Sequence, residues 1–312
     1  MPLSYKKALV TGGAGFIGSH LVDRLIKEGH KVIVVDNLST GQEENLNPKA
    51  KFYKIDIRNS ELSRVFEKEK PDTVFHFAAQ ISVKESEKNP LNDADINILG
   101  TLNVFENCRK YKIKKIIFAS SAAVYGDVKI LPVKEDCSEE PSSPYGVAKL
   151  ISEKYLNYFY NAYGLPFAAL RFANVYGPRQ NSKGEAGVIA IFCDKMLSKG
   201  KPIIYGSGRQ TRDFIFVDDV IEANLLALEK NKAGIFNVGT GEETDINTIF
   251  RKLKALTDSG CREIHEYIQS AEPKRSCLNF QKAEKELGWQ PRYSLDKGLK
   301  ETIKWFKDKK FN

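Results

Sequence analysis

The segment TGGAGFIGSH, which begins at Thr11, constrains the fold of this chain more than any other feature. It follows the apolar run KALV and leads into a stretch with helical periodicity, so it joins a buried strand to a helix. Gly13, Gly15 and Gly18 satisfy the pattern G-x-G-x-x-G, and Gly12 forms a second, overlapping pattern with the last two. Such glycines let backbone amides approach a pyrophosphate at the positive amino terminus of a helix. The segment therefore predicts a phosphate-binding turn.

Apolar runs alternate with helical patterns along the first half of the chain. The strand candidates are 7–10, 31–35, 73–77, 115–120 and 167–172, and the helix candidates are 16–28, 61–69, 91–109 and 145–162. Runs that are apolar on both faces are typical of parallel strands buried between two layers of helices. We therefore predict an α/β protein with a Rossmann doubly wound parallel sheet.

In the second half of the chain the predicted elements are shorter, and glycine-containing loops separate them. They comprise a helix near 186–198, short strands near 203 and 214, and a helix at 219–229. We predict a dinucleotide-binding domain over 1–173 and a smaller α/β substrate-binding lobe over 174–312, with segments near 212–240 returning to the main sheet.

Charge and hydropathy argue against nucleic-acid and membrane partners. The net charge is +8, but acidic residues alternate with the basic ones and no zinc-finger, RRM or KH signature occurs. A solvated lysine-rich surface is therefore favoured over nucleic-acid binding, and its field would also attract a phosphorylated substrate. No stretch approaches the roughly 18 consecutive apolar residues of a membrane helix, and no signal-peptide apolar region opens the chain. We expect a cytoplasmic protein.

The five cysteines predict neither a disulfide framework nor a metal site. Cys108, Cys137, Cys193, Cys261 and Cys277 are odd in number, lie far apart and include no C-x-x-C pair. We expect reduced, buried thiols and no bound metal.

An acidic residue ends the second predicted strand and suggests which dinucleotide binds. Asp36 follows Gly18 by 18 residues, a distance at which a carboxylate can accept the ribose hydroxyls of adenosine and repel a 2′-phosphate. Strand, glycine loop, helix and acid together favour NAD over NADP. For Asp36 considered alone, an ordinary turn acid is the alternative.

A tyrosine and a lysine four residues apart form a candidate catalytic pair. Tyr145 and Lys149 would share one helix face, and Ser143 before Pro144 is a good N-cap that places Tyr145 near the positive helix end. The helix dipole and Lys149 would lower the pKa of Tyr145 and let the phenol act as a base near neutrality. A core tyrosine beside a surface lysine is the alternative for this spacing alone.

Two serines follow the fourth predicted strand, at the carboxyl edge where ligands of such sheets bind. Ser120 and Ser121 offer hydroxyls there, although a serine can also simply end a strand. The glycine loop upstream and the tyrosine–lysine pair downstream favour the functional interpretation.

The order of these motifs resembles the extended short-chain dehydrogenases/reductases, and most of all the UDP-glucose (UDP-galactose) and UDP-N-acetylglucosamine 4-epimerases. The resemblance covers nearly the whole chain. Besides the glycine segment, its strings include VVDNLSTG, HFAAQISV, NILGTLNV, SSAAVYGD, SPYGVAK, LRFANVYGPRQ, GSGRQTRDFIFVDDV, FNVGTG and ELGW. It implies an NAD-dependent isomerase that inverts C4 of a UDP-hexose through a transient 4-keto sugar.

The resemblance also implies roles for individual residues. Tyr145 would be the base, Lys149 would hold the nicotinamide ribose, and Ser121 would bind the reacting sugar hydroxyl. The residues expected at the cofactor are Gly12, Gly15, Phe16, Ile17, Gly18, Asp36, Asn37, Leu38, Ser39, Asp56, Ile57, Phe77, Ala78, Ala79, Asn97, Ser120, Tyr145, Lys149 and Phe172. Those expected at the nucleotide sugar are Ser82, Ser121, Asn174, Val188, Tyr205, Arg212, Gln269 and Ser276. For Asn174, Val188, Tyr205 and Arg212, a loop hydrogen bond or a core contact is the alternative.

Two positions depart from the family pattern. Gln269 stands where the family often has a diphosphate-binding arginine, although Lys274 or Arg275 would substitute if the loop shifts. Ser276 stands where epimerases confined to glucose and galactose often have a bulky tyrosine, so it leaves volume for an N-acetyl group. We therefore expect UDP-GlcNAc and UDP-GalNAc as further substrates, with a solvent-facing loop serine as the alternative.

Ala122 and Ala123 occupy places where related dehydratases carry an Asp-Glu pair. Without extra acid and base groups, reversible oxidation is the simplest chemistry. The alternatives are another NAD-dependent nucleotide-sugar-modifying enzyme, such as a reductase, dehydratase or uronate epimerase, and a catalytically silent nucleotide-binding protein.

The helices predicted at 91–109 and 145–162 carry apolar residues at helical spacing. These include Ala94, Ile98, Leu102, Phe105, Ile151, Tyr155 and Phe159. They either cover the sheet or, as the resemblance implies, form a four-helix interface with a second copy. We expect a homodimer.

Overall fold

A parallel sheet of seven strands is the centre of the fold in the computed structural model, which describes residues 7–182, 187–230, 232–267 and 273–311. The strands are β1 (Lys7–Thr11), β2 (Lys31–Asp36), β3 (Lys51–Lys54), β4 (Thr73–His76), β5 (Lys115–Ser121), β6 (Phe167–Phe172), β7 (Asn174–Tyr176), β8 (Ile203–Tyr205), β9 (Thr211–Arg212), β10 (Phe214–Phe216), β11 (Gly234–Val238), β12 (Thr244–Asp245) and β13 (Ile264–Glu266). The central sheet has the order β3-β2-β1-β4-β5-β6-β11. Its strand order reverses between β1 and β4, which places a ligand crevice at their carboxyl ends.

Helices cover both faces of this sheet. They are α1 (Phe16–Lys27), α2 (Leu62–Glu69), α3 (Val83–Lys88), α4 (Pro90–Ala94), α5 (Thr101–Lys110), α6 (Pro144–Tyr163), α7 (Val188–Leu197), α8 (Val217–Glu229), α9 (Ile246–Thr257), α10 (Gln281–Leu287) and α11 (Leu295–Phe311). The range predicted as a helix, 91–109, is helical throughout, but a π-helix at Asp95–Gly100 separates α4 from α5. The wider π turn there brings Asn97 into a polar cluster below the site.

Adjacent residues of the central strands face opposite layers of the core. In β1, Ala8 and Val10 lie in one apolar cluster and Leu9 lies in the other. Leu9 is also in register with Ile33 of β2 and Val74 of β4. Burial on both faces is the reason that these strands have continuous apolar runs, and it confirms the predicted doubly wound α/β fold.

The second half of the chain builds small strand pairs and returns one strand to the sheet. The pairs are β7 with β10, β9 with β12 and β8 with β13. Strand β11 pairs with β6, with Phe236 opposite Leu170. The buried carboxylate of Asp213 accepts hydrogen bonds from the backbone amides of Thr240 (2.8 Å) and Leu278 (3.2 Å), and so holds three segments together. The division into two domains stays a prediction.

All five cysteines are free thiols. Cys108, Cys193 and Cys277 are buried as predicted, whereas Cys137 and Cys261 are only half-buried. In the described part of the chain, no helix has the length and apolar character needed to cross a membrane.

Candidate active site

The glycine loop between β1 and α1 forms a cradle that side chains would fill. Gly12 has a φ of +71°, and a Cβ atom there would lie 2.6 Å from the backbone nitrogen of Ala78. A Cβ atom on Gly15 would lie 3.2 Å from the carbonyl oxygen of Gly12, and one on Gly18 would overlap the same oxygen. Positions 12 and 18 therefore need glycine, position 15 has little room for a side chain, and the shape of the loop fits the pyrophosphate of a dinucleotide.

Asp36 is fixed beside this loop at the end of β2. Its carboxylate accepts hydrogen bonds from the backbone amides of Ala14 (3.0 Å) and Leu38 (2.8 Å). The side-chain oxygen of Asn37 accepts a hydrogen bond from the amide of Ser39 (2.9 Å), which completes the turn. Asp36 thus lies where the sequence predicts the adenosine ribose. Its role in recognising the ribose stays a prediction.

Two adjacent residues expected at the cofactor, Asp56 and Ile57, lie on the turn after β3. The Asp56 carboxylate accepts hydrogen bonds from the Arg58 guanidinium (2.9 and 2.8 Å) and from the Asn37 amide (2.8 Å). The Arg58 guanidinium holds the pKa of Asp56 well below its usual value. Ile57 is buried in the core. The structure thus links the Asp56 turn to the turn that follows Asp36.

Helix α6 presents the predicted catalytic pair. The Ser143 hydroxyl caps its amino terminus by accepting a hydrogen bond from the amide of Gly146 (3.2 Å), as the sequence predicts. Ser121, at the end of β5, lies within hydrogen-bonding reach of the Tyr145 phenol. The buried Lys149 ammonium donates a hydrogen bond to the carbonyl of Ala119 (2.8 Å) and lies 5.7 Å from the centre of the Tyr145 ring. The structure therefore brings serine, tyrosine and lysine together.

The predicted lowering of the Tyr145 pKa is wrong. Burial raises the pKa of Tyr145 to about 12, the Ser121 hydrogen bond opposes this rise, and the charge of Asp93 adds to it. Burial in turn lowers the pKa of Lys149 to about 8, against the raising effect of Asp93 and Glu153.

Aromatic rings and polar turns complete the predicted cofactor wall. Phe77 and Phe172, which follow β4 and end β6, stack with ring centroids 6.3 Å apart. The amide of Ala78 donates a hydrogen bond to the Thr11 hydroxyl (3.2 Å). Ala79 follows Ala78, and Phe16 and Ile17 open α1. Of these residues, Phe77 and Ala78 lie directly against the glycine loop, because their backbone faces Gly12.

Two residues predicted at the cofactor instead bond to neighbouring protein groups. The Ser120 hydroxyl donates a hydrogen bond to the Glu153 carboxylate (2.5 Å). The Asn97 side chain exchanges two hydrogen bonds with the backbone of Gln80, at 2.9 and 2.8 Å. Both side chains therefore hold neighbouring protein groups in place. A contact of either one with the cofactor stays a prediction.

The residues predicted at the nucleotide sugar lie on several different elements. The Ser82 hydroxyl caps α3 by accepting a hydrogen bond from the Glu85 amide (2.9 Å), and Val188 begins α7. Asn174 is exposed at the start of β7. Tyr205 is half exposed at the end of β8, with the Lys84 ammonium 6.0 Å from its ring centre.

Arg212 and Ser276 lie side by side. The Arg212 guanidinium donates a hydrogen bond to the carbonyl of Thr211 (2.9 Å), and the Ser276 amide donates one to the same carbonyl (3.2 Å). Gln269 lies outside the described residues. Of its two proposed substitutes, Arg275 is paired with Glu243 (2.9 Å) and Lys274 is exposed.

Two buried carboxylates beside the catalytic pair are not predicted from the sequence. Asp93 lies on α4, and Glu153 lies on α6, where the Arg171 guanidinium binds it (2.9 and 2.6 Å). Their spacing is a usable signal, because Asp93 precedes Asn97 by four residues and Glu153 follows Lys149 by four. Each acid therefore shares a helical face with a predicted site residue.

The family follows from a direct match. Residues 8–239 match the model of the NAD dependent epimerase/dehydratase family. This chain belongs to that family. A UDP-glucose 4-epimerase of Mycolicibacterium smegmatis is 40% identical to this family member over 310 residues, which cover 97% of this chain and 99% of the relative.

Solved structures of similar proteins carry ligands in two informative cases. A UDP-glucose 4-epimerase of Thermotoga maritima with UDP-glucose is 47% identical, with a TM-score of 0.96 and coverage of 97% of this chain and 99% of that one. A UDP-N-acetylglucosamine 4-epimerase of Methanobrevibacter ruminantium in complex with UDP-N-acetylmuramic acid is 37% identical, with a TM-score of 0.94 and coverage of 98% and 100%. This family member thus shares its full fold with both.

Proposed function

We propose that this protein is an NAD-dependent 4-epimerase that interconverts UDP-glucose and UDP-galactose. The observation that carries the proposal is the convergence of Ser121, Tyr145 and Lys149 beside the glycine loop, at the carboxyl edge of the sheet. The similarity to UDP-hexose 4-epimerases over nearly the whole chain supports the same activity.

The residues around the crevice fit NAD. The cradle of Gly12, Gly15 and Gly18 would hold its pyrophosphate, Asp36 its adenosine ribose and Lys149 its nicotinamide ribose. When bound, NAD supplies the acceptor and donor of a hydride at C4 of the sugar, and its cationic ring favours the phenolate of a nearby tyrosine.

Tyr145 and Ser121 handle the proton of the sugar 4-hydroxyl. The phenolate of Tyr145 accepts this proton as C4 is oxidised and returns it when C4 is reduced from the other face. The Ser121 hydroxyl, which hydrogen-bonds to the same phenol, stabilises its charge and orients the reacting oxygen. The Lys149 ammonium adds positive charge beside both groups.

The short turn after Ser121 disfavours dehydration. Ala122 and Ala123 form this turn, and the amide of Ala123 donates a hydrogen bond to the Ser121 hydroxyl oxygen (3.1 Å). Neither alanine provides the acid or base that removal of water requires. Incubation of the purified protein with UDP-galactose should give an equilibrium mixture with UDP-glucose. A product lighter by one water, or one formed with stoichiometric NADH, would contradict the proposal.

We further propose that the pocket accepts N-acetylated sugars. Ser276 is small, half-buried and adjacent to Arg212, so it leaves room beside the sugar. The similarity to a UDP-N-acetylglucosamine 4-epimerase supports this extension. The variant Ser276→Tyr should lower the rate on UDP-GlcNAc at least about tenfold relative to UDP-glucose, because the ring fills the pocket. An unchanged ratio of the two rates would reject the pocket assignment.

We also propose a homodimer formed through α4, the π-helix and α6. Leu91, Leu99, Val147, Tyr155 and Tyr158 expose between 38% and 83% of their surface on these elements. An apolar surface of this kind is typical of a protein interface. In contrast, two residues of the predicted face, Phe105 and Phe159, are buried in the core and cover the sheet. Light scattering should give about twice the chain mass of 35.2 kDa, whereas the monomer mass would contradict the dimer.

A further inference from the structure

Asp93 is a buried carboxylate that the proposed chemistry does not use. Its side chain is 1% exposed, and one oxygen accepts hydrogen bonds from the side-chain amides of Gln80 (2.8 Å) and Asn97 (2.8 Å). The Asn97 side chain in turn accepts a hydrogen bond from the backbone amide of Gln80 (2.9 Å) and donates one to its carbonyl (2.8 Å). The carboxylate therefore anchors the loop that follows β4, next to the predicted cofactor wall.

Helix α4 places this carboxylate against the catalytic turns of α6. Asp93, Pro144, Val147 and Ala148 line one cavity of about 440 Å³ between the two helices. Pro144 precedes Tyr145, and Ala148 precedes Lys149. Asp93 thus lies against the turns of α6 that carry the catalytic pair.

The other groups that face Lys149 carry little free charge. Glu153 on α6 is neutralised by the Arg171 guanidinium at 2.6 and 2.9 Å. His76 on β4 is buried between two hydroxyls, and burial lowers its pKa to about 3, so it is neutral. The rings of Phe118 and Tyr145 flank the ammonium at 4.8 and 5.7 Å.

Asp93 forms no ion pair in the part of the chain that the structure describes. Among residues 7–182, 187–230, 232–267 and 273–311, no salt bridge joins it to a lysine or arginine. Its charge acts on the buried ammonium of Lys149, where it opposes the lowering of the pKa by burial more strongly than Glu153 does.

We propose that Asp93 is a positioning residue that keeps Lys149 protonated and holds the Gln80 loop beside it. This inference rests on the proposed function, because the rate it modulates is that of epimerisation. A nearby negative charge raises the pKa of both Lys149 and Tyr145. Loss of that charge should therefore move both titrations to lower pH.

The variant Asp93→Asn tests this inference with little change in shape, because its amide oxygen still accepts both hydrogen bonds. The alkaline limb of the kcat–pH profile, which Lys149 sets, should shift to lower pH by about 0.5 to 1 unit. Asp93→Glu should retain the wild-type profile, and Glu87→Gln, which removes an exposed acid from α3, should leave it unchanged. Asp93→Ala should in addition raise KM, because it releases Gln80. A profile of Asp93→Asn that coincides with the wild type would overturn the inference.

An NMR titration gives a readout that does not depend on turnover. In protein labelled with carbon-13 at the lysine ε position, Lys149→Met identifies the Lys149 signal, which should titrate near pH 8. In Asp93→Asn its midpoint should be lower by the same amount as the kinetic shift. An unchanged midpoint would overturn the inference. If the wild type fails to epimerise UDP-hexoses, the proposed function falls, and the titration still decides the role of Asp93.

Discussion

A buried lysine lies at each end of β5, and the two lysines are alike in burial and in pKa. Lys115, at the amino end, is 3% exposed, and Lys149, beside the carboxyl end, is 4% exposed. Burial lowers the pKa of each side chain to about 8. Each ammonium also donates hydrogen bonds to backbone carbonyls.

Their partners separate a structural lysine from a functional one. The Lys115 ammonium contacts the carbonyls of Lys230 (2.6 Å) and Lys232 (3.0 Å) and so caps the negative end of α8. Lys149 instead lies beside Tyr145 and Asp93, at the edge where ligands of such sheets bind. A lowered lysine pKa therefore does not by itself indicate an active site. Ionisable neighbours at the carboxyl edge of the sheet are the feature that indicates one.

The largest effect should come from the phenol at the carboxyl end. Tyr145→Phe removes the group that accepts and returns the substrate proton, so kcat should fall by about 10² to 10⁴-fold. Steady-state assays with UDP-glucose check this. Tyr160→Phe, which alters an exposed tyrosine of the same helix, is the matched control and should leave kcat intact.

Exchanging each lysine for methionine tests the comparison itself. Lys149→Met should lower kcat by about 10²-fold, because the charge beside Tyr145 is lost. Lys115→Met should leave kcat within about twofold, because it lies at the opposite end of the strand. Equal losses in the two variants would show that burial, and not location, decides the role of these lysines.

The pH dependence should follow Lys149 alone. As pH rises through about 8, Lys149 loses its proton and kcat should fall. Lys149→Arg should abolish this alkaline limb, because a guanidinium stays protonated, even if its maximal rate is lower. Lys115→Met should keep the limb at the wild-type pH. A limb that persists in Lys149→Arg would assign the titration to another group.

The smallest effect should be the loss of stability at the amino end. Lys115→Met leaves the carbonyls of Lys230 and Lys232 without their donor, which should lower the free energy of unfolding by about 1–3 kcal/mol. Urea unfolding followed by tryptophan fluorescence measures this. Lys149→Met removes the donor from a single carbonyl, that of Ala119, and should cost less. The reverse order would contradict the capping role of Lys115.

The sequence predicts the fold where burial on both faces leaves a continuous apolar run, as in β1, β2 and β5. Strand β3 is missed because its four residues, KFYK, place only two half-buried aromatic residues between exposed lysines, so no continuous apolar run marks it. The π-helix at Asp95–Gly100 is also missed, because the same residues suit an α-helix and only tertiary contacts favour the wider turn.

The candidate site likewise has features that the sequence predicts and features that it does not. Ser121, Tyr145 and Lys149 are predictable because spacing places them on one helix face and at one strand end. The pKa of Tyr145 and the role of Asp93 are not, since both depend on burial where α4 packs against α6, two helices that are far apart in the sequence. Local patterns specify neighbours along an element, whereas charge states depend on neighbours in space.

The central claim is that C4 of the sugar is oxidised and reduced again within one closed site. Conversion of UDP-galactose that carries deuterium at C4, followed by mass spectrometry of the UDP-glucose formed, tests it most directly. Retention of the deuterium at C4 is the predicted result. Its replacement by hydrogen from water would contradict the claim.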